Sequence, residues 1–164
     1  MGLTRAVASA AVAMLGVGNL AGRTGGGWLS DHIGRLPALR AATATLAAAC
    51  LVLVHVAGAT PVLAIMTIVG MAYGVQAALV PAATADLFGT MDFAANFGRV
   101  FTGWGIAGLL GPQVGARLGD ATHGFTAALR LGAVSAALAF ALYVLLTRVR
   151  ERTTVPGTSR SRAL

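Results

Sequence analysis

The sequence predicts an all-α, polytopic membrane protein of about five transmembrane helices, and three observations lead there. Apolar residues make up 57% of the 164-residue chain, charged residues only 10%, and the mean hydropathy is +0.79. A soluble domain usually carries about 25% charged residues to cover its surface. The uncharged residues fall into runs long enough to cross hydrocarbon, and the charges collect in short segments between those runs. Lipid rather than water must face most of such a chain.

Taken in order, Ala6 to Gly22, Val100 to Ala116 and Leu131 to Thr147 are each 17 residues without a charge. The run from Ala41 to Ala85 is too long for one helix. GATP, residues 58–61, divides it, because glycine and proline mark a turn and proline fits the first turn of a new helix. A hydrocarbon core of roughly 30 Å needs about 20 helical residues. The expected helices lie near 5–29, 37–57, 61–85, 98–118 and 126–147. Residues 148–164 form a basic tail in which Pro156, Gly157 and the serines predict disorder. Arg5 followed by an apolar run also has the form of a signal peptide, but that run flows straight into the next charged segment.

All 12 basic residues are arginine, and the formal net charge is +7. A nucleic-acid protein would spread this charge over one face. Here Arg23, Arg35 and Arg40 follow the first helix, Arg99 follows the third, and five arginines lie in the tail. The opposite side has Arg5, Arg117 and Arg130. Arginine marks the cytoplasmic side of a membrane protein, so the N-terminus is expected outside and the C-terminus inside. Cys50, the single cysteine, excludes an intrachain disulfide and a cysteine-based metal site, and reads as an apolar filler.

Between the first two spans lies GRTGGGWLSDHIGR, residues 22–35. Gly25, Gly26, Gly27 and Gly34 predict a tight backbone turn. Asp31 and Arg35 are four apart with the acid first, so a helical turn there would pair them. The pattern Gly27-x-x-x-Asp31-x-x-Gly34-Arg35 resembles the signature loop of the major facilitator superfamily of secondary transporters. His32 and Leu36 stand where that loop usually carries basic residues, as in its weaker second copy between the eighth and ninth helices. The resemblance extends backwards through Asn19, Gly22 and Arg23. YGVQAALVPAATADLFG and NFGRVFTGWGIAGLLGP look like the tenth helix, the following loop and the eleventh helix of the oxalate/formate antiporter and monocarboxylate-type branch. The residues that carry this include Tyr73, Gly74, Pro81, Asp86, Asn96, Gly111 and Pro112.

The resemblance implies that these helices correspond to helices eight to twelve of a twelve-helix transporter. It implies a conformational lock at Gly27, Asp31, Gly34 and Arg35, with the expected partner in an absent first half. Asn19, Tyr73, Gln76, Trp104 and Gln113 are candidates for the substrate pathway, with Gln76 and Trp104 preferred. Each of these polar side chains has a competing reading as an interhelical hydrogen-bonding group. Gly70 and Gly74, like Gly111, Gly115 and Gly119, are spaced four apart and predict close helix packing. Pro81 and Pro112 each remove a backbone donor and predict a bent or loosened helix. Arg23, one turn from Asn19, is expected to reach the interface. In VFTGWGIAGLL the position where a dicarboxylate carrier would place a cation has Trp104 and no charge.

His55 and His123 read as interfacial. No His/Asp/Glu cluster suggests a metal, and no cofactor or catalytic residue is expected, so an enzyme is not. The expected function is that of a secondary active transporter fragment moving small organic anions, formate-, oxalate- or monocarboxylate-like, by alternating access in a bacterial cytoplasmic membrane. Its partners would be the lipid bilayer, an organic anion, and the missing N-terminal half or another membrane chain, with no nucleic acid. The alternatives are a non-transporting truncated fragment, a small membrane partner subunit, and a drug or sugar carrier.

Overall fold

The computed structural model describes residues 4–122 and 124–153. They form five helices: α1 (Arg5–Ile33), α2 (Arg35–His55), α3 (Ala59–Phe88), α4 (Phe93–Thr122) and α5 (Thr126–Thr153). The expected all-α bundle is therefore the fold. Four helices, α1, α2, α3 and α5, are long and apolar enough to cross a membrane. The fifth, α4, falls below that apolarity. At 30 residues α4 has the length, but Trp104, Pro112, Gln113 and six glycines from Gly98 to Gly115 dilute its apolar content.

The glycine-rich stretch is the largest departure from expectation. Gly25, Gly26 and Gly27 do not turn; α1 runs through them and ends at Ile33. In lipid every backbone N–H and C=O must find a partner within the protein, which favours continuing the helix through residues that would break it in water. A single residue makes the turn. Gly34 adopts φ +87, its N–H is donated to the Ser30 carbonyl at 2.8 Å, and α2 starts at the next residue. Only glycine takes that backbone angle without strain. Pro37 and Pro61 each stand third in their helices, in the first turn where a missing N–H costs no bond.

What the helical glycines do instead is let α1 and α3 touch backbone to backbone. Gly18, Gly22 and Gly26 are buried on one face of α1, and Gly70 and Gly74 on the facing side of α3. A Cβ at Gly18 would collide with the Thr67 carbonyl, and one at Gly22 with the Met71 carbonyl. A Cβ at Gly70 would strike the Leu15 carbonyl, and one at Gly74 the Asn19 carbonyl. Partner numbers rise together along both helices, so α1 and α3 run parallel, with α2 as the return. Small-xxx-small spacing on both partners is the packing mode that association in lipid favours.

The tightest side-chain cluster comprises Ala38 and Leu39 of α2 with Leu79 and Ala83 of α3, flanked by Leu29, Val75, Val80 and Tyr143. Leu39 is 1% exposed. Elsewhere large apolar side chains face outward, among them Val12, Leu20, Leu109, Leu138 and Leu142. A soluble bundle would not leave so much apolar surface open; a bilayer covers it. Helix α5 continues to Thr153, so part of the segment expected to be disordered is helical. His123 and residues 154–164 lie outside the described residues.

Candidate functional site

Two places in the bundle gather the residues singled out from the sequence. The first is where α1, α2 and α3 end or begin together. Arg35 opens α2, and its Nη1 lies 2.7 Å from the Asp86 carboxylate of α3 and donates to the Ala82 carbonyl at 2.8 Å. The guanidinium thus sits near the C-terminal end of α3, where the helix dipole favours a cation. The expected Asp31–Arg35 pair is absent. Gly34 breaks the helix between them, so the four-residue register that would have aligned them is lost. Asp31 is exposed and makes no ion pair among the described residues. Gly27 lies inside α1, its Cα facing open space. Asp86 entered the sequence reading only as a residue of the second motif; no local spacing links it to Arg35, 51 positions away.

The second place is a cavity of about 240 Å³ between α3, α4 and α5. It brings together Tyr73, Gln76 and Trp104, three of the five candidate pathway residues, with Phe97, Phe101 and Tyr143 completing the wall. Pro81 also lines it. Lacking an N–H, Pro81 leaves the Ala77 carbonyl, on the same wall, without its helical donor. The Gln76 Nε2 is buried and has no hydrogen-bond partner. A buried amide donor left unsatisfied is costly.

The aromatic side of this cavity was not anticipated. Phe93, Phe97, Phe101 and Trp104 recur every three or four residues and share one face of α4. Successive ring centroids are 5.5, 5.3 and 4.6 Å apart, and Tyr73 approaches Trp104 at 5.9 Å across the helix pair. The spacing was visible in the sequence and could have marked this face.

The other candidates lie elsewhere. Asn19 accepts from Arg23 Nε at 2.9 Å, one turn along α1, and is not part of the cavity wall. Gln113 donates to the Leu109 carbonyl at 3.1 Å on an exposed face of α4. Gly111 and Gly115 pack against nothing: no atom lies within 4 Å of a Cβ built at either. The close packing expected of them is therefore not made within this chain's described residues. Pro112 stands in the same open stretch, and α4 runs through it as α3 runs through Pro81. No group of three or more His, Cys, Asp or Glu side chains among the described residues could hold a metal.

Parallel α1 and α3, the glycine turn with its arginine, and the cavity on α3 and α4 are the features by which the resemblance can be judged. Compared with known protein families, the chain matches the Major Facilitator Superfamily over residues 1–163. The chain belongs to that superfamily. Its members are membrane transporters and in general not enzymes, and the four membrane-length helices make this chain a multi-pass membrane protein. No curated protein matches it.

Proposed function

We propose that this chain is part of a secondary active carrier of the oxalate/formate and monocarboxylate-type branch, its helices corresponding to helices eight to twelve, and that it moves a small organic anion by alternating access. The observation that supports the substrate class is a cavity wall with no acidic side chain, to which Gln76, whose amide nitrogen has no hydrogen-bond partner, contributes. An N–H without a partner in an apolar site is satisfied by a carboxylate oxygen, and such charge-assisted bonds are the strong ones. The cavity wall has no cation either, which favours a monocarboxylate over a dicarboxylate. The first half of the carrier, or another membrane chain, covers the open face of α4 that holds Gly111, Pro112 and Gly115.

At the other place, the turn at Gly34 acts as a conformational lock on the cytoplasmic side of a bacterial inner membrane. Arg35 is tied to α3 through Asp86 and Ala82, while Asp31, exposed and unpaired among the described residues, engages the absent half in one state and releases it in the other. The arginine distribution supports an outside N-terminus and a cytoplasmic C-terminus. Uptake of labelled pyruvate, formate and oxalate into proteoliposomes containing the carrier tests this reading. Accumulation of pyruvate or formate, with oxalate competing weakly, is expected; uptake of a sugar or a cationic drug with no competition from any carboxylate would overturn it.

A further inference from the structure

We infer that the end of the bundle where α2 begins and α5 finishes holds an anionic phospholipid. Its phosphate sits on Arg40 and the arginines in the last turns of α5, and its acyl chain lies along the exposed leucines of α5. Charge is unevenly shared between the helices at this end. Asp31, Asp86 and Asp92 belong to α1, α3 and the link between α3 and α4. Helix α2 has no acid, and the last two turns of α5 have Arg148, Arg150 and Arg152 against Glu151 alone. Arg35 is already neutralised by Asp86. The basic surplus therefore lies along the α2–α5 edge.

Arg40 is the residue that orientation in the membrane does not explain. It is the sixth residue of α2, roughly 7–8 Å along the helix from its start, whereas a charge that only orients a chain serves as well in a loop. Its side chain is partly buried, and its guanidinium has no ion pair or hydrogen bond among the described residues. Arg40, Thr43, Ala47 and Cys50 recur every three or four residues and so share one face of α2. That face turns to α5, because the Cys50 Sγ lies 3.6 Å from the position of a Cβ at Gly132. Nearer Arg40, Tyr143 of α5 packs on the cluster of Ala38 and Leu39, so Arg40 and Arg148 stand on neighbouring helices near the same end. A partly buried guanidinium without a counter-charge is costly, and phosphate oxygens satisfy it through charge-assisted bonds.

The apolar surface beside the arginines decides what carries the phosphate. Leu138, Leu142 and Leu145 follow one another at helical spacing and are all exposed, and Arg148 stands one turn beyond Leu145. From Leu138 to Arg148 the helix rises about 15 Å, half of a hydrocarbon core of roughly 30 Å. A phospholipid anchored there by its phosphate thus has one leaflet of apolar surface for its chain, which a free phosphate would not use. Two copies of this chain paired symmetrically through this edge would set arginine against arginine. A zwitterionic lipid brings its own cation to the site. An anionic phospholipid such as phosphatidylglycerol meets both the charge and the apolar stripe.

Native mass spectrometry of the full chain in detergent, titrated with phosphatidylglycerol or phosphatidylcholine of the same acyl chains, tests this without reference to any transported solute. Preferential retention of phosphatidylglycerol, weakening as salt is raised, is expected. Arg40→Gln and Arg148→Gln should each weaken it about fivefold. Arg40→Lys should keep most of it, and Arg5→Gln, at the opposite end, should change nothing. Arg148 is exposed, so its variant tests the site even where Arg40→Gln fails to fold. Equal retention of the two lipids, or phosphatidylglycerol retention indifferent to the glutamine variants, overturns the inference. Displacement by an equal concentration of glycerol 3-phosphate would make the ligand a free phosphate, and a lipid-independent dimer broken by Arg148→Gln would make the edge a contact between chains. Either result overturns the lipid.

Discussion

Arg35 and Asp86 are 51 positions apart, yet their side chains meet at 2.7 Å and join the first residue of α2 to the last turn of α3. Both groups are well exposed, 38% and 46%, so the pair is a surface ion pair and its intrinsic worth is small. A double-mutant cycle on Arg35→Ala and Asp86→Ala, read from denaturant unfolding in detergent, is expected to give a coupling of about 0.2–1 kcal/mol. It should shrink as salt is raised. A coupling of several kcal/mol would mean that the pair is desolvated in the membrane-embedded protein.

Asp31 lies on the same turn without a partner among the described residues. If it locks the carrier to its other half, Asp31→Asn should lower turnover about fivefold or more, the range of a modest coupling energy. Membrane insertion should be unchanged. Initial uptake rates alongside protease-protection mapping check this, and wild-type turnover in the variant would remove Asp31 from the lock.

Glycines in α1 should respond to one substitution with opposite signs. Gly22→Ala drives a methyl group into the Met71 carbonyl and is expected to cost about 1–3 kcal/mol, as overpacking does. Gly27→Ala meets open space and removes only the entropic penalty of glycine in a helix, so it should stabilise by about 0.5–1 kcal/mol. Thermal unfolding followed by helical circular dichroism distinguishes the two. A destabilised Gly27→Ala would restore the turn that the sequence suggested.

Candidate pathway residues should divide by their place relative to the cavity. Trp104→Ala removes wall area and is expected to raise the uptake KM about tenfold, the cost of one lost aromatic contact. Gln113→Ala, remote from the cavity, should leave KM within about twofold, in keeping with the small effects of exposed substitutions. Comparable KM increases in both would place the solute between α4 and the missing partner instead.

Orientation is open to chemical labelling, because Cys50→Ala leaves a background without thiols. A cysteine at Arg40 is expected to react with an impermeant maleimide only in inverted vesicles, and one at Ala57 only in right-side-out vesicles. The reverse pattern would invert the topology drawn from the arginines.

Composition and charge spacing alone determined the membrane class, the all-α architecture and the presence of breaks between residues 29 and 37 and between 57 and 61, because lipid permits few solutions for an unpaired backbone and because charge must leave the hydrocarbon. The same one-dimensional reading took Gly25 to Gly27 for a turn and paired Asp31 with Arg35. Both errors have one cause: local spacing states what a helix would bring together, not where another helix will lie. Only when α3 packs parallel to α1 do the glycines become a close-contact face, Arg35 find Asp86, and Tyr73, Gln76 and Trp104 come to share one wall while Asn19 and Gln113 turn away. Contacts between helices depend on crossing and rotation, and those are set by the sum of many small packing energies that no single motif contains.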